Sequence, residues 1–191
     1  RQGVKLMDFG GGLGTSAGKM TGLFNGSQLN AVVTNHDKRT TRDALLQEAA
    51  RRQKKYPTLE LWHRANIMED NQLDGKPMAS SPDELAKVAE LAQNVEFRPG
   101  IDTRESFKGL PTGVTLLTET FGGLHYSKGK VMDRTTQTLM HEILVNGSLI
   151  VTRTGEAERL QQSASLFPRL GTFEVEEEFS ESDFCTLRFH R

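Results

Sequence analysis

The run Asp8-Phe9-Gly10-Gly11-Gly12-Leu13-Gly14 sets a carboxylate against four glycines in five positions. Glycines directly after a strand let the backbone turn tightly and admit a ligand where a Cβ would clash. A helix following such a turn offers unpaired N–H groups and the positive end of its dipole to an anionic or carboxylate-bearing ligand. Asp8 is badly placed for a phosphate and suits a cationic or hydroxyl-rich ligand. Two phosphate motifs fail on spacing. Gly18-Lys19 has Leu13 five residues before Gly18 and Met20 after the lysine, so it is not a P-loop. Counting from Gly10 and Gly12, the third glycine of the dinucleotide fingerprint falls on Thr15.

A second stretch able to do chemistry runs from Thr118 to Lys130 and holds Glu119, His125, Tyr126 and Lys128. An imidazole, with an unperturbed pKa of about 6.5, can take the proton of a hydroxyl nucleophile near neutrality. His125 is therefore the candidate base, with a hydrogen-bonded loop histidine as the competing reading. His141 falls beside core positions of a helix, where a structural role is expected. His36, His63 and His190 show no metal-ligand spacing with acids or cysteines, and no metal site is expected.

The elements that must position these groups alternate. Val4 to Phe9 is a buried strand running into the glycine turn, followed by a helix over Thr15 to Phe24. Asn30 to Asn35 is a second strand, and Arg42 to Lys55 a helix with Leu45, Leu46, Ala49 and Ala50 on its apolar side. Leu59 to His63 is a further strand candidate, and a loop or insertion is expected around 67–80. Ser81-Pro82-Asp83-Glu84 is a helix start, with Leu85, Val88, Ala89 and Ala92 on one stripe. Val95 to Arg98 and Val114 to Leu117 are strands. Thr135 to Val145 is a helix that Asn146-Gly147 ends, Leu149 to Thr152 a strand, and Glu156 to Phe167 a helix. Thr172 to Phe179 and Phe184 to Phe189 alternate around a polar turn, as an antiparallel pair does. The expected fold is α/β: a doubly wound, Rossmann-like sheet, mostly parallel, with an antiparallel C-terminal strand pair, in one domain over 1–191.

Acid-x-Gly-x-Gly-x-Gly, here Asp8, Gly10, Gly12 and Gly14, resembles the first motif of the class I S-adenosylmethionine-dependent methyltransferases. The resemblance implies S-adenosylmethionine as cofactor, with the three glycines lining its amino-acid end and Asp8 organising its ammonium group. It implies Asp37, in Val33-Thr34-Asn35-His36-Asp37, as the carboxylate bonding both ribose hydroxyls. The position near the adenine falls on Asp102 if Val95 to Arg98 is the third strand, or on Asn66 if Leu59 to His63 is. Glu119, after the fourth strand, falls where substrate and cofactor meet and is counted with the cofactor residues. Methyl transfer to a small molecule or a protein side chain is the activity implied. A non-catalytic cofactor-binding module of the same fold and an NAD(P)-dependent oxidoreductase are the rival classes. Methyl transfer asks the protein mainly to align and desolvate the nucleophile.

Composition limits the partners. The net charge of −1 leaves no electrostatic footprint for duplex nucleic acid. The lone Cys185 points to a reducing compartment, the cytoplasm, and no run of about 18 apolar residues is present to span a membrane. The first strand starts by Val4, so the chain is expected to be trimmed from a longer polypeptide. Oligomeric state is open.

Overall fold

Short apolar runs alternating with amphipathic segments call for a sheet covered on both faces, and the computed structural model has that architecture. It describes residues 3–10, 17, 20–21, 29–35, 38, 41–55, 57, 87, 90, 95–102, 106–119, 122–179 and 183–191. The strands among them are β1 (Val4–Phe9), β2 (Leu29–Asn35), β3 (Val95–Pro99), β4 (Val114–Thr118), β5 (Leu144–Arg153), β6 (Thr172–Glu178) and β7 (Phe184–His190). They form one seven-stranded sheet in the order β3-β2-β1-β4-β5-β7-β6. The pairs β3–β2, β2–β1, β1–β4 and β4–β5 are parallel, while β7 lies antiparallel to both β5 and β6. The chain runs outward from β1 to β3, then returns to start β4 on the other side of β1. The carboxyl ends of β1 and β4 therefore flank the switch in strand order, where open α/β sheets bind ligands.

Alternation along β1 divides the core. Met7 and Phe9 face a cluster with Leu117, Leu139, Met140 and Leu160. Leu6 faces the opposite cluster, with Ala31, Val33, Leu45 and Ala49. The second cluster is covered by α1 (Arg42–Lys55), in which Leu45 and Ala49 stand at i and i+4. Leu45 is fully buried, worth about 2 kcal/mol of apolar burial. Leu46, expected on the same side, is instead 42 % exposed, and Ala50 is exposed too. At 100° per residue the buried stripe of this helix is narrower than four apolar positions suggest. The first cluster is covered by α2 (Gly123–Tyr126), α3 (Lys130–Thr138) and α4 (Thr154–Ala164).

The expected helix over Thr135 to Val145 is shifted. It starts at Lys130, widens into a π-helical turn over Leu139–Ile143, and stops before Leu144. Leu144 opens β5 and pairs with Val114, so Asn146-Gly147 lies within a strand rather than at a helix end. Register shifts there, and the Ser148 hydroxyl bridges the irregularity by donating to Val114 O at 2.7 Å and accepting from Val145 N–H at 3.0 Å. The strand that pairs with β2 is Val95–Pro99, so Asp102 follows the strand next to β2. Leu59 to His63, Asn66, the expected insertion around 67–80 and the stripe beginning at Leu85 lie outside the described residues. No described helix is long and apolar enough to cross a membrane.

Candidate functional site

Parallel pairing sets Asp8 of β1 directly beside Thr118 of β4. The Thr118 hydroxyl donates to Asp8 Oδ1 at 3.1 Å. The other oxygen, Asp8 Oδ2, is buried and has no hydrogen-bond partner among the described residues. Asp8 is only 1 % exposed. Loss of hydration raises its pKa from 3.8 to about 6, and the Glu119 charge adds to the rise. The Thr118 hydroxyl and the Ala17 amide offset part of it. A buried carboxylate oxygen left without a donor costs free energy, which a bound donor would recover.

Gly10 turns out of β1 with φ +78° and donates its N–H to Thr34 O at 2.8 Å. A Cβ on Gly10 would lie 2.4 Å from Gly122 Cα, and one on Gly122 would lie 2.0 Å from Phe9 O. The turn after β1 and the turn after β4 thus meet backbone to backbone. Sequence reading passed over Gly122 and Gly123; a glycine pair a few residues after an apolar strand is the signal that marks them. Gly12, Gly14 and Asp37 lie outside the described residues. Asp102 is half-buried just beyond β3, whose end is joined to that of β2 by Ile101 N–H donating to Asn35 O at 2.9 Å.

Glu119, one residue past β4, is fully buried. Its backbone N–H donates to Val151 O at 2.9 Å. Its Oε1 accepts from the Gly122 N–H and, at 3.4 Å, from the His125 N–H, and its Oε2 accepts from the Thr152 hydroxyl at 3.2 Å. Burial raises its pKa, and the nearby Glu156 charge adds to this against those hydrogen bonds. The carboxylate ties the turn after β4 to β5 and so sets where α2 begins.

His125 follows on α2 with its side chain 35 % exposed. Its Nδ1 lies 2.8 Å from Glu156 Oε1, and the Tyr126 ring stands edge-on at 5.0 Å. Glu156 is buried in the first turn of α4 and also accepts from Arg159 Nη2 at 3.1 Å. Nothing in the sequence singled out Glu156, because an acid in a first helical turn is ordinary. A polar pocket of about 300 Å³, lined by Arg153, Thr154, Gly155, Glu156, Arg159 and Asp183, opens at the carboxyl end of β5. Among the described residues, no group of three or more His, Cys, Asp or Glu side chains is placed to hold a metal ion.

The fold is similar to that of solved methyltransferases. A TehB-like SAM-dependent methyltransferase from Corynebacterium glutamicum is 14 % identical, with a TM-score of 0.52 over 100 % of this chain and 82 % of that one. A precorrin-6y C5,15-methyltransferase from Geobacter metallireducens is 10 % identical, with a TM-score of 0.50 over 100 % of this chain and 82 % of that one. PigF, solved with SAH, is 10 % identical, with a TM-score of 0.51 over 100 % of this chain and 51 % of that one. No protein-family model and no curated protein sequence matches the chain. The chain has the fold of the class I S-adenosylmethionine-dependent methyltransferases.

Proposed function

We infer that the chain transfers a methyl group from S-adenosylmethionine to a small molecule or a protein side chain. The observation that carries this reading is the buried Asp8 Oδ2, without a hydrogen-bond partner among the described residues, at the switch in strand order and beside a glycine turn packed too closely for a Cβ. A cofactor bearing an ammonium and a sulfonium supplies what that oxygen lacks. A dinucleotide pyrophosphate would bring like charge to it instead.

Asp8, Gly10, Gly12 and Gly14 would hold the amino-acid end, Asp37 the ribose hydroxyls and Asp102 the adenine. Glu119 would shape the turn where cofactor and acceptor meet. When bound, S-adenosylmethionine supplies an electrophilic methyl group on a positively charged sulfur. The protein's own task is then alignment, exclusion of water and management of one proton. For a hydroxyl acceptor, His125 would take that proton on its ring.

Calorimetric titration with S-adenosylhomocysteine, with NAD as the comparison ligand, tests the reading. Micromolar affinity for the first and none for the second is expected. Binding of NAD alone would replace methyl transfer with hydride transfer. S-adenosylhomocysteine binding without turnover on any acceptor would leave a binding module.

A further inference from the structure

The His125–Glu156 contact belongs to a larger arrangement than a single hydrogen bond. Glu156 Oε1 receives two donors, His125 Nδ1 at 2.8 Å and Arg159 Nη2 at 3.1 Å. Arg159 is itself held, through Nη1 to Ser127 O at 3.1 Å and through Nε to Gly155 O at 3.3 Å. Ser127 lies one residue past α2 and Gly155 within α4, so the guanidinium joins the element carrying His125 to the element carrying Glu156. The imidazole is fixed from its own backbone as well, because the His125 N–H donates to Glu119 Oε1. Among the described residues, Glu156 and Tyr126 are titratable groups set against the ring, and Arg159 reaches it through Glu156.

An oxygen that already accepts from a guanidinium is an acceptor toward the ring too, which makes Nδ1 the donor. A neutral imidazole carries one N–H, so its lone pair then resides on the other nitrogen. We propose that Glu156 is a positioning residue: with Arg159 it holds His125 in the Nδ1–H tautomer and places the proton-accepting lone pair on Nε2. This rests on the reading of His125 as base. A carboxylate behind the ring also stabilises the imidazolium formed when the proton arrives, as in other base–orienter pairs. Glu156 touches neither acceptor nor cofactor in this scheme and acts only through His125.

The test is a two-bond ¹H–¹⁵N ring spectrum at alkaline pH, with the His125 signals assigned by their loss in His125→Gln. The wild-type protein should show about a tenfold excess of Nδ1–H over Nε2–H. Glu156→Ala should remove most of that excess. Glu156→Gln, which keeps the side-chain volume, serves if the alanine variant fails to fold, and its ratio should fall at least about threefold. A wild-type ring protonated on Nε2, or a ratio that neither variant moves, would overturn the proposal. The spectrum needs neither cofactor nor acceptor. Titration of the same wild-type sample with S-adenosylhomocysteine therefore reports the methyltransferase reading separately.

Discussion

At the scale of single residues, Asp8 sets function against stability. Its carboxyl is favoured protonated in the fold, with a pKa of about 6 against an ordinary 3.8. The stability this proton contributes is complete below pH 3.8 and is lost as pH rises through about 6, because ionisation leaves a buried, half-partnered charge. The ionisation cost is about 3 kcal/mol. In Asp8→Asn that cost disappears, while an unpartnered amide returns roughly 1–2 kcal/mol. The ligand-free variant should therefore melt higher than wild type at about pH 8, with the gap closing at about pH 5 and reversing by about pH 4, where only the amide penalty remains. Thermal denaturation across that range measures it. The same variant should bind S-adenosylhomocysteine more weakly by about 1–3 kcal/mol. A variant that melts lower at alkaline pH would mean that burial does not dominate at Asp8.

At the scale of elements, the candidate site forms where two turns from distant parts of the chain meet backbone to backbone at Gly10 and Gly122. β1 and β4 are neighbours, yet about a hundred residues separate their sequences. A Cβ on Gly123 would lie 2.3 Å from the Phe9 ring, and one on Gly122 would collide with backbone. Backbone cannot swing aside as a flexible side chain can, so Gly122→Ala must push the two turns apart. It should destabilise the protein by about 1–3 kcal/mol and weaken S-adenosylhomocysteine binding in the folded fraction. Chemical denaturation together with calorimetry separates the two effects. Unchanged stability would mean that the two turns have room to part.

At the scale of the whole molecule, the antiparallel end of the sheet carries no proposed site residue and closes the hydrophobic core. Phe189 of β7 is fully buried against Phe173 of β6, with ring centroids 5.3 Å apart. Arg191 extends this closure across the π-helical turn. Its Nη2 donates to Met140 O at 2.6 Å, its backbone N–H donates to Asn146 Oδ1 at 2.8 Å, and its guanidinium lies 5.8 Å from the Phe189 ring centre. Arg191→Ala should lower stability by about 1–2 kcal/mol and leave S-adenosylhomocysteine affinity unchanged. Equal melting temperatures for variant and wild type would show the carbonyls of the turn to be well served by water.

The mostly parallel sheet with its antiparallel closing pair was legible in the sequence, because apolar period is a local property, though β5 begins at Leu144, five residues before the expected Leu149. The places of Asp8 and Glu119 were legible for the same reason: each stands at or just beyond the end of a strand that its own neighbours define. Tertiary structure alone decided which strand pairs with β2, since two apolar runs of similar length compete and only lateral pairing separates them. It moved the helix end from Val145 to Ile143, because pairing of Leu144 with Val114 outweighed the turn propensity of Asn146-Gly147. It also brought Glu156 to His125 across 31 residues of sequence. Contacts of that kind arise from how β4 and β5 lie side by side, and no local pattern in the chain encodes them.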